Sequence, residues 1–431
     1  MAKYKAYPEY KDSGVESLDT IPKMWSIKKL KYIFEIKKRI AGKIGYDVLS
    51  VTQKGIRIKD TESGEGQLSM DYSKYQMVYP GEFAMNHMDL LTGYVDISIY
   101  DGVTSPDYRV FAVRDKHSFY SRYYLYLLQD GYKQRRFFHL GQGSAHLGRW
   151  RLPTEAFNEI VYPCPSLKEQ NQIASFLDHE TAKIDDLIEK HQQLIELLKE
   201  KRQAVISHAV TKGLKPDVPM KDSGVEWLGE VPAHWLIKKL KYLCSIQTGS
   251  KDTVNAIECG LYPFFVRSQT IERINSVGAD CEAVLTAGDG AGVGKVYHYY
   301  NGKFDFHQRV YMLNNFKAIK GRFVYYYLSS NFYKVALEGN AKSTVDSLRL
   351  PQFLNFEFSF PSIKEQENII YFLELETTKI DSLVEKQQQQ IELLQERRTA
   401  LISAAITGKI DVRDWVSPDA QDIEEPQEAT A

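Results

Sequence analysis

Pro165-Ser166-Leu167-Lys168-Glu169-Gln170 and Pro361-Ser362-Ile363-Lys364-Glu365-Gln366 are one phrase written twice, 196 residues apart. Each opens a long segment with helical periodicity. From Ile173 the apolar or tolerated positions run Leu177, Glu180, Ile184, Leu187, His191, Leu194, Leu198, Lys201 and Val205. The second copy gives Ile369, Leu373, Glu376, Ile380, Leu383, Gln387, Ile391 and Leu394, then continues less regularly to Leu401. Steps alternating four and three are the seam of a coiled coil. Serine followed three residues later by glutamate predicts a capping box at each start. Gly213 and Gly408 predict the stops. From Glu169 to Ser207 such a helix measures about 58 Å at 1.5 Å per residue.

The repetition extends outward. Ile195-Glu196-Leu197-Leu198 returns as Ile391-Glu392-Leu393-Leu394. Upstream, at an offset of 210, Lys11-Asp12-Ser13-Gly14-Val15-Glu16 recurs as Lys221-Asp222-Ser223-Gly224-Val225-Glu226. Trp25 matches Trp235, and Ile27-Lys28-Lys29-Leu30-Lys31-Tyr32 matches Ile237-Lys238-Lys239-Leu240-Lys241-Tyr242. Between these ends, residues 40–160 and 250–355 scarcely resemble each other. A period near 200 is too long for a solenoid and reads as a duplicated unit whose frame was kept while its contents changed.

The expected fold is α+β: two mixed α/β globules separated by two long helices, with a pseudo-twofold internal repeat. The stripe alone leaves a parallel or an antiparallel pair open; a twofold relation between the halves favours an antiparallel coiled coil. The expected boundaries are 1–165 for the first globule, 166–212 for the first helix, 213–360 for the second globule and 361–410 for the second helix. Residues 411–431 form an acidic tail, expected to be disordered. Tyr94–Tyr100 alternates like a strand ahead of the Asp101-Gly102 turn. Gly45–Arg57 carries β-branched residues and a glycine turn. Tyr120–Gln129 and Phe323–Ser330 read as short aromatic helices used for packing.

Composition narrows the function. Of 431 residues, 43% are hydrophobic and 12% aromatic, enough for filled cores. No apolar run approaches 18 residues, which excludes a spanning helix, and the start Met1-Ala2-Lys3-Tyr4-Lys5 lacks the apolar stretch of a secretory signal. Cys164, Cys244, Cys259 and Cys281 form no C-x-x-C pair, so they read as reduced thiols of a cytoplasmic protein. The net charge of −1 hides an uneven distribution. Residues 1–165 hold 24 basic against 19 acidic side chains, and 213–360 hold 17 against 14. The first helix is 7 against 8 and residues 361–431 are 7 against 15. A positive excess confined to two globules suits a polyanion.

Catalytic signatures are missing. Ala287-Gly288-Asp289-Gly290-Ala291-Gly292-Val293-Gly294-Lys295-Val296 fails as a phosphate loop, since Asp289 stands where glycine is needed and Val296 where serine or threonine is. It reads as a tight strand connection. Glu35-Ile36-Lys37 imitates a nuclease triplet, but its repeat positions are Ser245 and Gln247. There is no H-E-x-x-H, no G-x-S-x-G and no asparagine–proline–proline–aromatic tetrad of adenine methylation. His191, on the helix seam, reads as a packed polar residue.

Two unlike globules on one repeated frame, without visible chemistry, resemble the specificity subunit of a Type I restriction–modification system. The phrases Ile21-Pro22-x-x-Trp25 and Val231-Pro232-x-x-Trp235, the two helix openers, and the helix ends Thr211-Lys212-Gly213 and Thr407-Gly408-Lys409 carry the likeness. Asp101-Gly102-Val103-Thr104-Ser105-Pro106-x-Tyr108 resembles a phrase of the family's target recognition domains. The likeness covers about residues 8–412.

The resemblance implies a non-catalytic, DNA-reading subunit. Each globule would be a target recognition domain contacting one half of a bipartite double-stranded DNA site. The helices would set the spacing and dock two methyltransferase subunits, with two restriction (translocase/nuclease) subunits completing the complex. S-adenosylmethionine, ATP and Mg²⁺ would sit on those partners, which would methylate adenine at N6 and cleave DNA. One heptad more or less would move a globule by roughly 10 Å, about three base pairs. Base reading needs groove-edge donors and acceptors. Gln142, Ser144, His146 and Arg149 in the first globule, and Asn340, Lys342, Ser343 and Thr344 in the second, are the candidates. Lys54, Arg57, Lys295 and Arg309 are candidate phosphate or base contacts. The alternatives are a metal-dependent nuclease with an unrecognised site and a coiled-coil scaffold that binds only protein.

Overall fold

The two long helices span Leu167–Lys212 and Ile363–Ile406 in the computed structural model, which describes residues 4–15, 18–60, 72–143, 150–336 and 348–416. The first is longer at both ends than the stretch from Glu169 to Ser207. Ala209 and Val210 are buried at its end, and packing of this kind sustains helix where propensity would let it fray. Gly213 and Gly408 follow the last turns with φ of 79° and 76°, the left-handed conformation glycine adopts without a Cβ penalty.

Only half of each expected capping box forms. Ser166 Oγ accepts the Glu169 N–H at 3.3 Å, and Ser362 Oγ the Glu365 N–H at 3.4 Å. The glutamates do not reach back. Glu169, buried, accepts the Tyr7 hydroxyl at 2.5 Å. Glu365 accepts the Trp235 indole N–H at 3.2 Å and lies 3.0 Å from the His234 ring. A carboxylate leaving water takes the buried donor at hand.

The helices pack together, with the seam one residue away from the expected stripe at every second position. Buried or half-buried positions run Leu177, Thr181, Ile184, Ile188, His191, Ile195, Leu198 and Arg202. Leu187 and Leu194 remain 44% and 41% exposed. Both stripes step four and three. The adjacent pairs Leu187-Ile188 and Leu194-Ile195 therefore gave periodicity no basis for choosing between them.

The chain divides into two compact units, Met1–Lys190 with Ile391–Ala431, and His191–Gln390. Each takes one head and one half of each long helix. In the first unit Asp185 pairs with Arg398 through Nε at 2.8 Å, and Gln172 reaches the Arg413 carbonyl at 2.9 Å. In the second, His191 meets Gln387 at 2.6 Å and Arg202 pairs with Asp381 at 2.8 Å. In the second unit rising numbers on one helix meet falling numbers on the other, so the helices pair antiparallel there. His191 is the packed polar residue expected of it.

The first head holds a four-stranded antiparallel sheet in the order Phe34–Lys37, Arg109–Val113, Phe83–Met85, Val95–Ile97. The helix Ser121–Lys133 buries Tyr123, Tyr124, Leu127 and Leu128 in the unit's core. Each such side chain stabilises by about 1.5–3 kcal/mol. The hairpin Tyr10–Asp12/Thr20–Pro22 brings Trp25 onto the end of the second long helix. Residues 411–416, inside the stretch expected to be disordered, fold back here. Val412 is buried and Trp415 meets Phe176 edge-on at 5.6 Å.

The second head carries six strands in the order Ser245–Thr248, Val310–Asn314, Ala279–Ala287, Tyr297–Phe306, Tyr262–Phe265, Ile271–Ile274. All pairs are antiparallel except Tyr262–Phe265 with Tyr297–Phe306. The helix Gly321–Asn331 buries Phe323, Tyr326, Tyr327 and Leu328. Both tyrosine-rich helices are therefore packing elements.

The frame repeats at atomic detail. Gln170 accepts the Tyr120 N–H at 2.8 Å and donates to the Ser118 and Pro165 carbonyls. Gln366 accepts the Lys320 N–H at 2.8 Å and donates to the Ala318 and Pro361 carbonyls. Each clamps the start of a tyrosine helix onto the start of a long one.

Candidate nucleic-acid interface

In the first head, β-branched residues build the hairpin Leu49–Thr52/Gly55–Ile58, and Gly55 at φ 96° lets it turn in two residues. Thr52 Oγ1 accepts the Lys54 N–H at 3.1 Å and donates to the Gly55 carbonyl at 2.9 Å. Lys54 stands exposed at the tip, and Arg57 is exposed on the returning strand opposite Ser50.

Gln142 lies at the neck of a separate loop. It exchanges two backbone hydrogen bonds with Arg151, at 2.8 and 3.0 Å. Below the neck, the Leu152 N–H reaches the His87 carbonyl at 2.9 Å, and Arg109 donates to the Leu152 carbonyl at 3.1 Å. Arg109 is only 3% exposed, with its guanidinium over the Phe157 ring. Burial lowers its pKa to about 10, so it stays charged at neutral pH. Burial, with Arg109 and Arg151 nearby, lowers His87 to about 3, leaving a neutral ring. These groups fix where the loop emerges. Ser144, His146 and Arg149 lie outside the described residues.

In the second head, the glycine-rich stretch connects Ala279–Ala287 to Tyr297–Phe306, the tight connection expected of it. Gly290 and Gly294 take φ of 76° and 71°. A Cβ on Gly292 would stand 2.5 Å from the Arg267 carbonyl. Asp289 holds Arg267 at 2.9 Å and Arg309 at 2.5 Å. Burial raises its pKa, but hydrogen bonds from Arg309 and Arg267 outweigh this and hold it below the ordinary aspartate range. Lys295 is exposed on the same connection, its carbonyl accepting from Gln269 at 3.2 Å.

Two candidates, Lys295 and Arg309, are thus brought together around one loop. Asn340, Lys342, Ser343 and Thr344 lie outside the described residues. The Leu348 N–H, just after that stretch, bonds the Gly288 carbonyl at 2.9 Å, so the chain returns beside Asp289.

Sequence reasoning missed Arg267, because 42 positions separate it from the Arg309 it meets on Asp289. It also missed Lys133 and Arg135 at the end of a tyrosine helix, although the run Lys133-Gln134-Arg135-Arg136 is a legible basic cluster. Among the described residues no group of His, Cys, Asp or Glu could hold a metal ion, and no helix is long and apolar enough to cross a membrane. Glu35 and Lys37, the nuclease-like triplet, bond each other at 2.7 Å on an exposed strand.

The family model for the Type I restriction modification DNA specificity domain matches twice, over residues 22–197 and 232–393. The chain is 31% identical over 189 residues to the Type I restriction enzyme EcoDI specificity subunit of Escherichia coli, covering 44% of this chain and 41% of that one. It is 26% identical over 298 residues to the MjaVIII specificity subunit of Methanocaldococcus jannaschii, covering 64% and 66%. These matches thus span less than two thirds of either relative. In fold it is similar to a chain solved in work on complex assembly and conformational transition of the type I R-M system. That likeness has a TM-score of 0.68 at 14% identity, over 90% of this chain and 99% of that one.

Proposed function

The chain belongs to the Type I restriction modification DNA specificity family, and from that premise we propose that it is the DNA-reading subunit of such a system. Each head reads one half of a bipartite double-stranded site. The paired helices set the spacing and dock two methyltransferase subunits. Restriction subunits, again two, complete the complex. Adenine methylation and ATP-dependent cleavage reside on those partners, together with S-adenosylmethionine, ATP and Mg²⁺, and the setting is cytoplasmic.

One observation carries this reading: the family model matches twice along a frame that repeats residue by residue, while the heads it holds have diverged. Similar frames suit similar partners, and unlike heads suit unlike base sequences. Exposed cations gathered on loops by rigid sheets are the material for phosphate and base contacts.

Co-expression with the partner methyltransferase, followed by sequencing of methylated adenines, tests it. The expected result is one split, asymmetric motif. Exchanging residues 40–160 for those of a relative should alter one half of the motif and leave the other unchanged. Methylation at a single contiguous site, or both halves changing together, would sink the proposal.

A further inference from the structure

The first unit contains an open cleft of about 1010 Å³ that no base-reading role requires. Its walls are the Gln53-Lys54 hairpin tip, the segment Leu91–Tyr94, the C-terminal end of the helix Ser121–Lys133, and the two long helices at Asp185, Ile188, Arg398 and Thr399. Its charge is one-sided. Asp185 is spent on Arg398, which it grips through both Nε and Nη2 at 2.8 and 3.0 Å. Lys54, Lys133 and Arg135 also line the cleft and form no ion pair among the described residues.

Two features show that the positive charge is built in. Arg135 has φ of 54°. It occupies the left-handed position after a helix, where glycine or asparagine would sit freely and other residues are disfavoured. Burial and, after it, the neighbouring Arg398 hold Lys133 below the ordinary lysine range, against the opposing pull of Asp185 and Asp130.

We propose that this cleft receives the sugar–phosphate backbone of the bound duplex, with Lys54, Lys133 and Arg135 as sequence-independent phosphate contacts. The inference rests on the DNA-reading function above and adds to it a site that positions the duplex without reading bases. Cations without an ion-pair partner among the described residues, lining one open groove, match a polyanion in charge. They stand on two separate elements, a hairpin tip and a helix end, that wall one open groove, which suits a polyanion lying along it.

The test is salt-dependent binding of the assembled methyltransferase complex to two duplexes, one bearing the methylated motif and one scrambled. The variant is Lys54→Gln/Lys133→Gln/Arg135→Asn, asparagine being tolerant of the left-handed position. Removing three phosphate contacts should lower the slope of log affinity against log salt by about 2.7. At 0.15 M salt this weakens both duplexes by roughly a hundredfold. The methylated motif should stay the same. The charge-keeping variant Lys54→Arg/Lys133→Arg should bind like the parent, separating charge from folding.

An unchanged slope would overturn the proposal, as would an altered base in the motif or failure of the variant to assemble with its partner. If the parent complex itself showed no salt-dependent binding, the DNA-reading function would fail instead.

Discussion

Where head meets long helices, the two units use the same backbone and bridge it differently. In the second unit Gln203 donates its amide to the Ser330 carbonyl at 2.9 Å, and Ser207 donates to Asn331 Oδ1 at 2.9 Å. Lys334 reaches the same Asn331 oxygen at 3.0 Å, and the junction is bridged. The equivalent positions in the first unit, 196 residues on, are Thr399 and Ser403. Threonine is too short to cross and lines the open cleft, while Ser403 accepts from Arg136 at 3.3 Å. The frame dictates where backbones run. Gln203 and Ser207 both cross the gap in the second unit, whereas in the first only Ser403 is bridged and a basic cleft opens beside Thr399.

The helix ends show a second contrast. A Cβ on Gly408 would stand 2.4 Å from the Pro22 ring, whereas one on Gly213 would stand 3.3 Å from Trp235. Both glycines share the left-handed conformation, so alanine should cost about 1–2 kcal/mol at either. Overpacking against a rigid proline adds about 1–3 kcal/mol at Gly408 alone. Denaturant unfolding of the full chain should therefore find Gly408→Ala the more damaging by that margin. Equal losses would mean that the two closures are equivalent after all.

A smaller difference is expected at the tryptophans. Trp235 donates its indole N–H to Glu365. Trp25 Nε1 has no partner among the described residues; the equivalent carboxylate, Glu169, is taken by Tyr7. At the offset of 210 the position of Tyr7 is occupied by Asp217 in the second unit, which supplies no such donor. Phenylalanine leaves a similar gap at both sites, but only Trp235→Phe also breaks a hydrogen bond to a carboxylate. It should cost about 1–2 kcal/mol more than Trp25→Phe, as judged by unfolding midpoints.

The smallest effect concerns Asp289, the clamp that the cleft of the first unit lacks. Its folded-state pKa is depressed, so its stabilising contribution is full above the unfolded value near 3.8 and is lost as pH falls through the folded value. Amide exchange across Gly288–Lys295 should quicken below about pH 4. Asp289→Asn should reproduce that quickening at neutral pH, and should tighten non-specific DNA binding a few-fold by freeing Arg267 and Arg309. Unaltered exchange in the variant would show that the loop is held by its glycine geometry and not by the clamp.

Much of the architecture was legible in the chain. The duplicated openers, the 4-3 spacing, and Gly213 and Gly408 located both helices and their stops, since helix signals are local. The candidate contacts were legible only in part. Lys295 and Arg309 were found through their own loops, but Arg267 joins them only through the sheet. Lys54 was found on its hairpin, yet nothing in its neighbourhood indicates that Lys133 and Arg135 face it.

The sequence by itself determined the duplication, the helix pair and the contrast between constant frame and variable heads. Each of these is written in spacings of a few residues or in direct repetition. Tertiary structure alone decided which of two adjacent apolar residues entered the seam, which donor claimed Glu169, and which junction stayed open. Those choices are made by groups far apart in the chain that meet at hydrogen-bond distance, and a one-dimensional pattern carries no information about such distances.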